Sequence, residues 1–67
     1  MSRYQEYRMK EILDYLHETR RFVSASQVAE ALGISWNTAK SDLDTLSDQG
    51  LVQKSGVSRP IYRFKFR

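Results

Sequence analysis

The tripeptide Gly33-Ile34-Ser35, which separates two short segments of helical periodicity, constrains the fold of this chain more than any other feature. Gly33 can adopt the positive φ that ends a helix. Ile34 is apolar and can fill the gap between two helices, and Ser35 is a favourable N-cap for the helix that follows. Because so few residues separate the two segments, we expect two helices that cross steeply.

The segments on either side of this break predict those two helices. The earlier helix has an apolar face that consists of Val28, Ala29, Ala31 and Leu32. Its N-cap is either Ser26 or Ser24, and Ser24 forms a capping-box pattern with Gln27. The later helix is expected from Trp36 to Gln49, and its buried stripe consists of Ala39, Leu43 and Leu46.

A longer helix precedes this pair and a β-hairpin follows it. The first helix is expected from Arg3 to Thr19 with Ser2 as its N-cap. Its apolar stripe consists of Met9, Ile12, Leu13 and Leu16. Residues 22–23 have β character but are too few for an independent strand. Strands are expected at residues 51–54 and 61–66, and in the second of them Tyr62, Phe64 and Phe66 alternate onto one side.

The length of the chain, 67 residues, predicts one domain that spans residues 1–67. The predicted fold class is α+β and mostly helical, with three helices, a short first strand and a C-terminal β-hairpin. A chain of this size buries only about 60% of its unfolded surface. Because the chain has no cysteine for disulfides, we expect its stability to come from packing and from a partner subunit.

The composition and the motifs argue against several classes of protein. With no cysteine and a single histidine, His17, neither a metal site nor a cofactor is expected. The chain has no P-loop, dinucleotide motif or paired nucleophile and base, so it is not expected to be an enzyme or to bind a small molecule. No apolar run approaches the roughly 20 residues of a membrane span, and residues 1–6 lack the apolar core that a signal peptide would need. We therefore expect a soluble protein of the cytoplasm.

The basic residues are unevenly distributed along the chain. The net charge is +3, and residues 49–67 contain five basic side chains and no acidic one. Residues 22–48 contain one basic side chain, Lys40, against four acidic ones. A surface that is basic on one side suits a polyanion such as nucleic acid, although ordinary solubilising charge explains it equally well.

Several residue spacings match one known family. Ala29 lies where a small residue lets two helices approach, and Gly33 follows it by four residues. Residues 34–35 supply an apolar turn residue and then a cap, residues 50–52 match the entry into a wing, and residues 60–64 match its exit strand. Over nearly its whole length the chain therefore resembles the winged helix-turn-helix superfamily of transcription regulators. The MarR- and ArsR-type repressors share these features, as do many viral and plasmid regulators.

The resemblance implies that the chain binds double-stranded DNA sequence-specifically, with the third helix in the major groove. The helical wheel turns Asn37, Ser41 and Asp44 directly away from the core, with Lys40 beside them and Trp36 on the flank. Asn can bridge adenine, Lys can reach guanine and Asp can accept from cytosine. Phosphate oxygens suit Ser35 and Thr38. The wing would offer Lys54, Ser55, Ser58 and Arg59 to the backbone or minor groove.

Two acidic residues on the third helix, Asp44 and Asp48, count against this interpretation, because a carboxylate repels phosphates. They favour an alternative in which the winged helix is a protein-interaction module in a larger assembly. An RNA-binding winged helix is a third possibility.

The outward side of the first helix predicts a homodimer. This face consists of Tyr4, Tyr7, Arg8, Glu11 and Tyr15. Tyrosine is enriched at interfaces, and a two-fold pair would read two half-sites about one helical turn of DNA apart. Phe66 is a candidate for the same surface. The alternative is that these tyrosines cover the hairpin or their own helix in a monomer.

Overall fold

The computed structural model describes residues 3–66, which form three helices and three short strands. In chain order the elements are α1 (Arg3–Thr19), β1 (Val23–Ser24), α2 (Ala25–Leu32), α3 (Trp36–Asp48), β2 (Val52–Ser55) and β3 (Ile61–Phe64). The order and type of these elements confirm the predicted winged helix-turn-helix fold. Ser2, the expected cap of the first helix, lies outside the described residues.

The core lies between the three helices and one side of the small sheet. The helices bury the predicted positions Met9, Ile12, Leu16, Val28, Ala29, Ala39, Leu43 and Leu46. From the sheet come Val23, Val52 and Tyr62. Leu13, Ile34 and Phe64 are partly buried and pack against this cluster. The expectation that Ala31 belongs to the apolar face of α2 is wrong, because Ala31 is exposed.

Helix α2 begins with a capping box at Ser24, so the alternative cap Ser26 is wrong. The backbone N–H of Gln27 donates to the Ser24 hydroxyl (3.2 Å), and the backbone N–H of Ser24 donates to Oε1 of Gln27 (2.9 Å). The helix ends at Gly33, whose φ of 67° places it in the left-handed region. The next backbone N–H, that of Ile34, still reaches the carbonyl of Ala29 (3.1 Å), which completes the turn into α3.

The three strands form an antiparallel sheet in the order β1-β3-β2. The two residues of β1 are held because Val23 pairs with Tyr62 in the neighbouring strand. Strand β2 starts at Val52, one residue later than predicted, because the N–H of Leu51 donates to Leu46 (3.0 Å) and belongs to the end of α3. Strand β3 ends at Phe64, opposite the first residue of β2, so Phe66 lies beyond the sheet.

Candidate nucleic-acid interface

The N-terminus of α3 is a capped helix start whose polar side chains face solvent. The Ser35 hydroxyl accepts from the backbone N–H of Thr38 (3.2 Å) and donates to its hydroxyl oxygen (2.9 Å). Because the Thr38 oxygen accepts that bond, its own proton remains available to a phosphate oxygen. Trp36, Asn37 and Ser41 are exposed. The start of the helix, the side-chain amide of Asn37 and the neighbouring hydroxyl groups together form a surface that can donate hydrogen bonds to an anion.

Asp44 lies toward the hairpin and is half-buried, so the expectation that it points directly away from the core is wrong. Lys40 Nζ donates to its Oδ2 (2.8 Å), while Lys54 Nζ (2.9 Å) and the Tyr62 hydroxyl (2.8 Å) donate to its Oδ1. Partial burial raises the pKa of Asp44, but the hydrogen bonds from these three donors outweigh it and lower that pKa to about 2. One carboxylate therefore connects α3 with both strands of the hairpin.

Tyr62 donates one of these three hydrogen bonds to Asp44 from strand β3. Its side chain is fully buried, and burial together with the hydrogen bond to Asp44 raises the pKa of its phenol well above the usual range. The hydroxyl is therefore a permanent donor to Asp44.

An ion pair between the half-buried Arg8 of α1 and the buried Asp42 of α3 joins the candidate recognition helix to the first helix. The Arg8 guanidinium donates through Nε to Oδ2 and through Nη2 to Oδ1 of Asp42 (3.1 Å for the latter), and these bonds raise the pKa of Arg8. Asp42 is only 1% exposed. Arg8 therefore turns toward the protein interior, contrary to its expected place on an outward surface.

The sequence analysis missed this pair, although the helical period contains it. Asp42 follows Ala39 by three residues and precedes Leu46 by four, which puts it on the buried stripe of α3. Arg8 precedes Ile12 by four residues on α1 in the same way. Two residues of opposite charge, one on the buried stripe of each helix, are the pattern that could have predicted this pair.

The wing lies beside the start of α3. Its four predicted contact residues, Lys54, Ser55, Ser58 and Arg59, are all exposed. Gly56 turns the loop with a φ of 90°, and a Cβ there would lie 3.1 Å from the carbonyl oxygen of Arg59. A cleft of about 360 Å³ is lined by the starts of α2 and α3 and by the wing loop: Ser24, Ala25, Ser26, Trp36, Lys40, Ser58, Arg59 and Pro60.

Of the predicted residues, the structure brings Trp36 and Lys40 of α3 together with Ser58 and Arg59 of the wing around this cleft. Arg63, another of the basic residues near the C-terminus, has a structural role instead. Its guanidinium donates to Oε1 of Gln53 (2.9 Å) and lies 4.8 Å from the centre of the Phe22 ring.

The outward face of α1 is smaller than predicted. Tyr4 and Tyr7 are 75% and 66% exposed, but Tyr15 is half-buried and packs against the core. A hydrogen bond to Glu11 raises the pKa of Tyr7. Phe66 packs against His17, with the rings tilted by 43° and their centres 5.4 Å apart, and is not beside Tyr7. His17 lies ten residues, or about 15 Å, farther along the helix.

Within residues 3–66 no helix is long and apolar enough to cross a membrane. The same residues hold no cluster of three or more histidine, aspartate or glutamate side chains that would suit a metal ion.

Comparison with known proteins shows which family the sequence of this chain matches. Residues 8–56 match the DeoR-like helix-turn-helix domain. The chain is also 39% identical, over 62 residues, to the "Probable C4-dicarboxylate response regulator DctR" of Bacillus subtilis (strain 168). That alignment covers 87% of this chain and 27% of the relative, so the chain spans about a quarter of the relative's length. Neither finding names the MarR or ArsR type.

Proposed function

This chain belongs to the DeoR-like helix-turn-helix domain family, and from that premise we propose that it binds double-stranded DNA sequence-specifically in transcription regulation. The observation that carries the proposal is the common face of the α3 start and the wing, which meet at the cleft between Trp36, Lys40 and Arg59. A helix inserted in the major groove presents its first residues to base edges. A wing on the same face then reaches the neighbouring backbone or minor groove.

The proposed roles follow from side-chain chemistry and exposure. Asn37 and Ser41, both exposed, contact base edges, and Lys40 reaches a guanine. Ser35 and Thr38 bind a phosphate beside the helix start, with Trp36 flanking them. Phosphates on the next stretch of backbone are bound by the wing residues Lys54, Ser55, Ser58 and Arg59. The proposal also places its action in the cytoplasm and takes residues 1–67 as one domain that binds DNA without catalysing a reaction.

A second candidate is a winged helix that binds a protein. The exposed carboxylate of Asp48 on α3 and the exposed Trp36 favour it, because an acid weakens a phosphate contact and tryptophan is enriched at protein interfaces. The Bacillus subtilis relative is a probable response regulator, and this similarity supports a regulatory role under either candidate.

We include a homodimer in the proposal, formed through the N-terminal half of α1. Tyr4 and Tyr7 are the exposed aromatic residues of that helix, and Glu11 lies beside Tyr7. The guanidinium of Arg8 lies at the edge of this surface, 5.7 Å from the centre of the Tyr4 ring. Two copies related by a two-fold axis would place two α3 helices about one turn of DNA apart.

The deciding experiment is a titration of the chain with duplex DNA over a series of salt concentrations. Sequences enriched from a random pool are compared with a scrambled duplex and with RNA of the same sequence. We expect the affinity for the enriched duplex to fall steeply with salt, because contacts to phosphates release counterions. Binding that is absent, or independent of salt, would rule out the DNA proposal in favour of a protein partner. Preferential binding of the RNA would indicate the RNA-binding alternative.

A further inference from the structure

The carboxylate of Asp44 holds both of the lysines that the DNA proposal assigns to contacts. Its two oxygens accept from Lys40 on α3 and from Lys54 on β2, at 2.8 and 2.9 Å. The Tyr62 hydroxyl fixes the carboxylate from the core side. Its position therefore does not depend on the lysines alone.

This arrangement changes the charge that the surface presents. Two ammonium groups and one carboxylate carry a net charge of +1 where two free lysines would carry +2. Each lysine must also leave or share the carboxylate before it can reach a phosphate. The carboxylate therefore opposes phosphate binding by these lysines, unless another hydrogen-bond donor takes the place of one lysine on the carboxylate.

Asp44 is also accessible from outside. Its side chain is 33% exposed, on the same helix as Asn37 and Ser41, at spacings of seven and three residues. The exocyclic amino group of cytosine is a donor in the major groove that an aspartate can accept. A cytosine at the correct position would satisfy one carboxylate oxygen and free a lysine for the DNA.

We propose that Asp44 is a specificity-determining residue, which holds Lys40 and Lys54 away from non-specific phosphates and releases a lysine where a cytosine amino group replaces it. This inference rests on the proposed DNA binding. It assigns to Asp44 a role in discrimination between sequences, in addition to its contact with the hairpin.

The test compares Asp44→Asn with Asp48→Asn. Both variants remove one negative charge from α3, but Asp48 is exposed and makes no ion pair within residues 3–66. The asparagine at position 44 keeps an oxygen for the Tyr62 hydroxyl. Each protein is titrated with the enriched duplex and with a scrambled duplex of equal length, over a series of salt concentrations, and thermal unfolding confirms that each is folded.

We expect Asp44→Asn to bind the scrambled duplex about eightfold more tightly at about 0.1 M salt, because one further phosphate is neutralised. Its salt slope on that duplex should steepen by about 0.9. The affinity for the enriched duplex should rise less, so the ratio of the affinity for the enriched duplex to that for the scrambled duplex should fall. A repeated selection with the variant should lose a preference for cytosine at one position. Asp48→Asn should change the affinities for both duplexes by the same factor.

The outcomes separate the two proposals. A parent chain that binds no duplex in a salt-dependent way overturns both. A parent that binds normally, with Asp44→Asn indistinguishable from Asp48→Asn in affinity ratio and slope, overturns only the role of Asp44. Retention of the same cytosine preference overturns the base contact. If Asp44→Asn fails to fold, Asp44→Ser provides the same comparison, since serine can accept from Tyr62 but cannot neutralise a lysine.

Discussion

At the scale of single residues, the ion pair of Arg8 and Asp42 joins two helices through a buried carboxylate. A carboxylate buried as deeply as that of Asp42 is tolerated only when it is paired and hydrogen-bonded, and Arg8 supplies both conditions. The pair joins α1 to the middle of α3, so it helps to set the angle at which α3 is presented. Its loss should therefore affect stability first and DNA binding second.

Replacement of Arg8 should show how much the stability of the fold depends on this ion pair. We expect Arg8→Met to lower the free energy of unfolding by about 3 kcal/mol, because it leaves an uncompensated buried charge. The double variant Arg8→Met with Asp42→Leu should recover most of the loss, since no charge then remains buried. Chemical denaturation of the parent, both single variants and the double variant measures the coupling. If the losses in the free energy of unfolding of the two single variants simply add in the double variant, the two residues do not act as a pair.

Asn37 is the residue for which a base contact is most sharply predicted. Asn37→Ala should weaken binding to the enriched duplex by about 1–3 kcal/mol and relax the preference at one base pair, because a bidentate amide contact to adenine is lost. Gln49→Ala, an exposed neutral change at the opposite end of α3, is the matched control. Unchanged affinity and selectivity in Asn37→Ala would remove this residue from the interface.

Sequence periodicity predicted the caps and the apolar stripes but not the polar pairs. Ser35 and Gly33 could be placed because their roles depend on backbone conformation within a few residues. The partner of Asp42 and two of the three partners of Asp44 come from other elements, 34 and 10 or 18 residues away, whereas Lys40 lies on the same helix as Asp44. Whether such a carboxylate faces solvent or a cation depends on how the elements pack, which a helical wheel for one helix does not include.

At the scale of elements, the wing is expected to bind the DNA backbone. Neutralising Lys54 and Arg59 together by glutamine should weaken binding to the enriched duplex and reduce its salt slope by about 2 units, because two phosphate contacts are lost. Lys10→Gln with Lys65→Gln makes the same change of charge at exposed positions outside the wing. If the two double variants give the same slope, the wing does not contact the backbone.

The attachment of α3 to the hairpin should depend on pH. The pKa of Asp44 falls from its ordinary value of 3.8 to about 2 in the folded protein, so the folded state favours the charged form. Its contribution to stability is complete above about pH 4 and is lost as the pH falls through 2. The stability difference between the parent and Asp44→Asn should therefore shrink over that range. Urea denaturation at stepwise pH measures it, and a difference independent of pH would contradict the assignment.

The bounds of the strands also belong to this scale. The residues of β1 gave little indication of a strand, because a pair of residues is stable only beside a neighbour, and the neighbour β3 lies almost forty residues later in the chain. The start of β2 was misplaced because the N–H of Leu51 completes the end of α3 instead of joining the ladder. Both differences arise from hydrogen bonds made to another element, which the local pattern does not contain.

At the scale of the whole molecule, the proposed homodimer follows from the small core and the aromatic residues of α1. Tyr4 and Tyr7 leave large apolar surfaces in water, and burying them against a second copy would add to the limited apolar area that so short a chain buries. We place the proposed interface at the N-terminal half of α1, since Tyr15 packs on its own core. Tyr15 is therefore unsuitable for the test, because a change there would also damage the fold.

Tyr7→Glu is the discriminating variant. At micromolar concentration and without DNA, sedimentation equilibrium should give twice the monomer mass for the parent and the monomer mass for Tyr7→Glu, because the substituted carboxylates would be buried at the interface. Val57→Glu places the same acid at a wing residue that is 98% exposed, and it should remain dimeric. The dimer should also fix the spacing of half-sites in the enriched duplex at about one helical turn. A monomer mass for all three proteins, with enriched sequences that lack two-fold symmetry, would show that one copy binds alone.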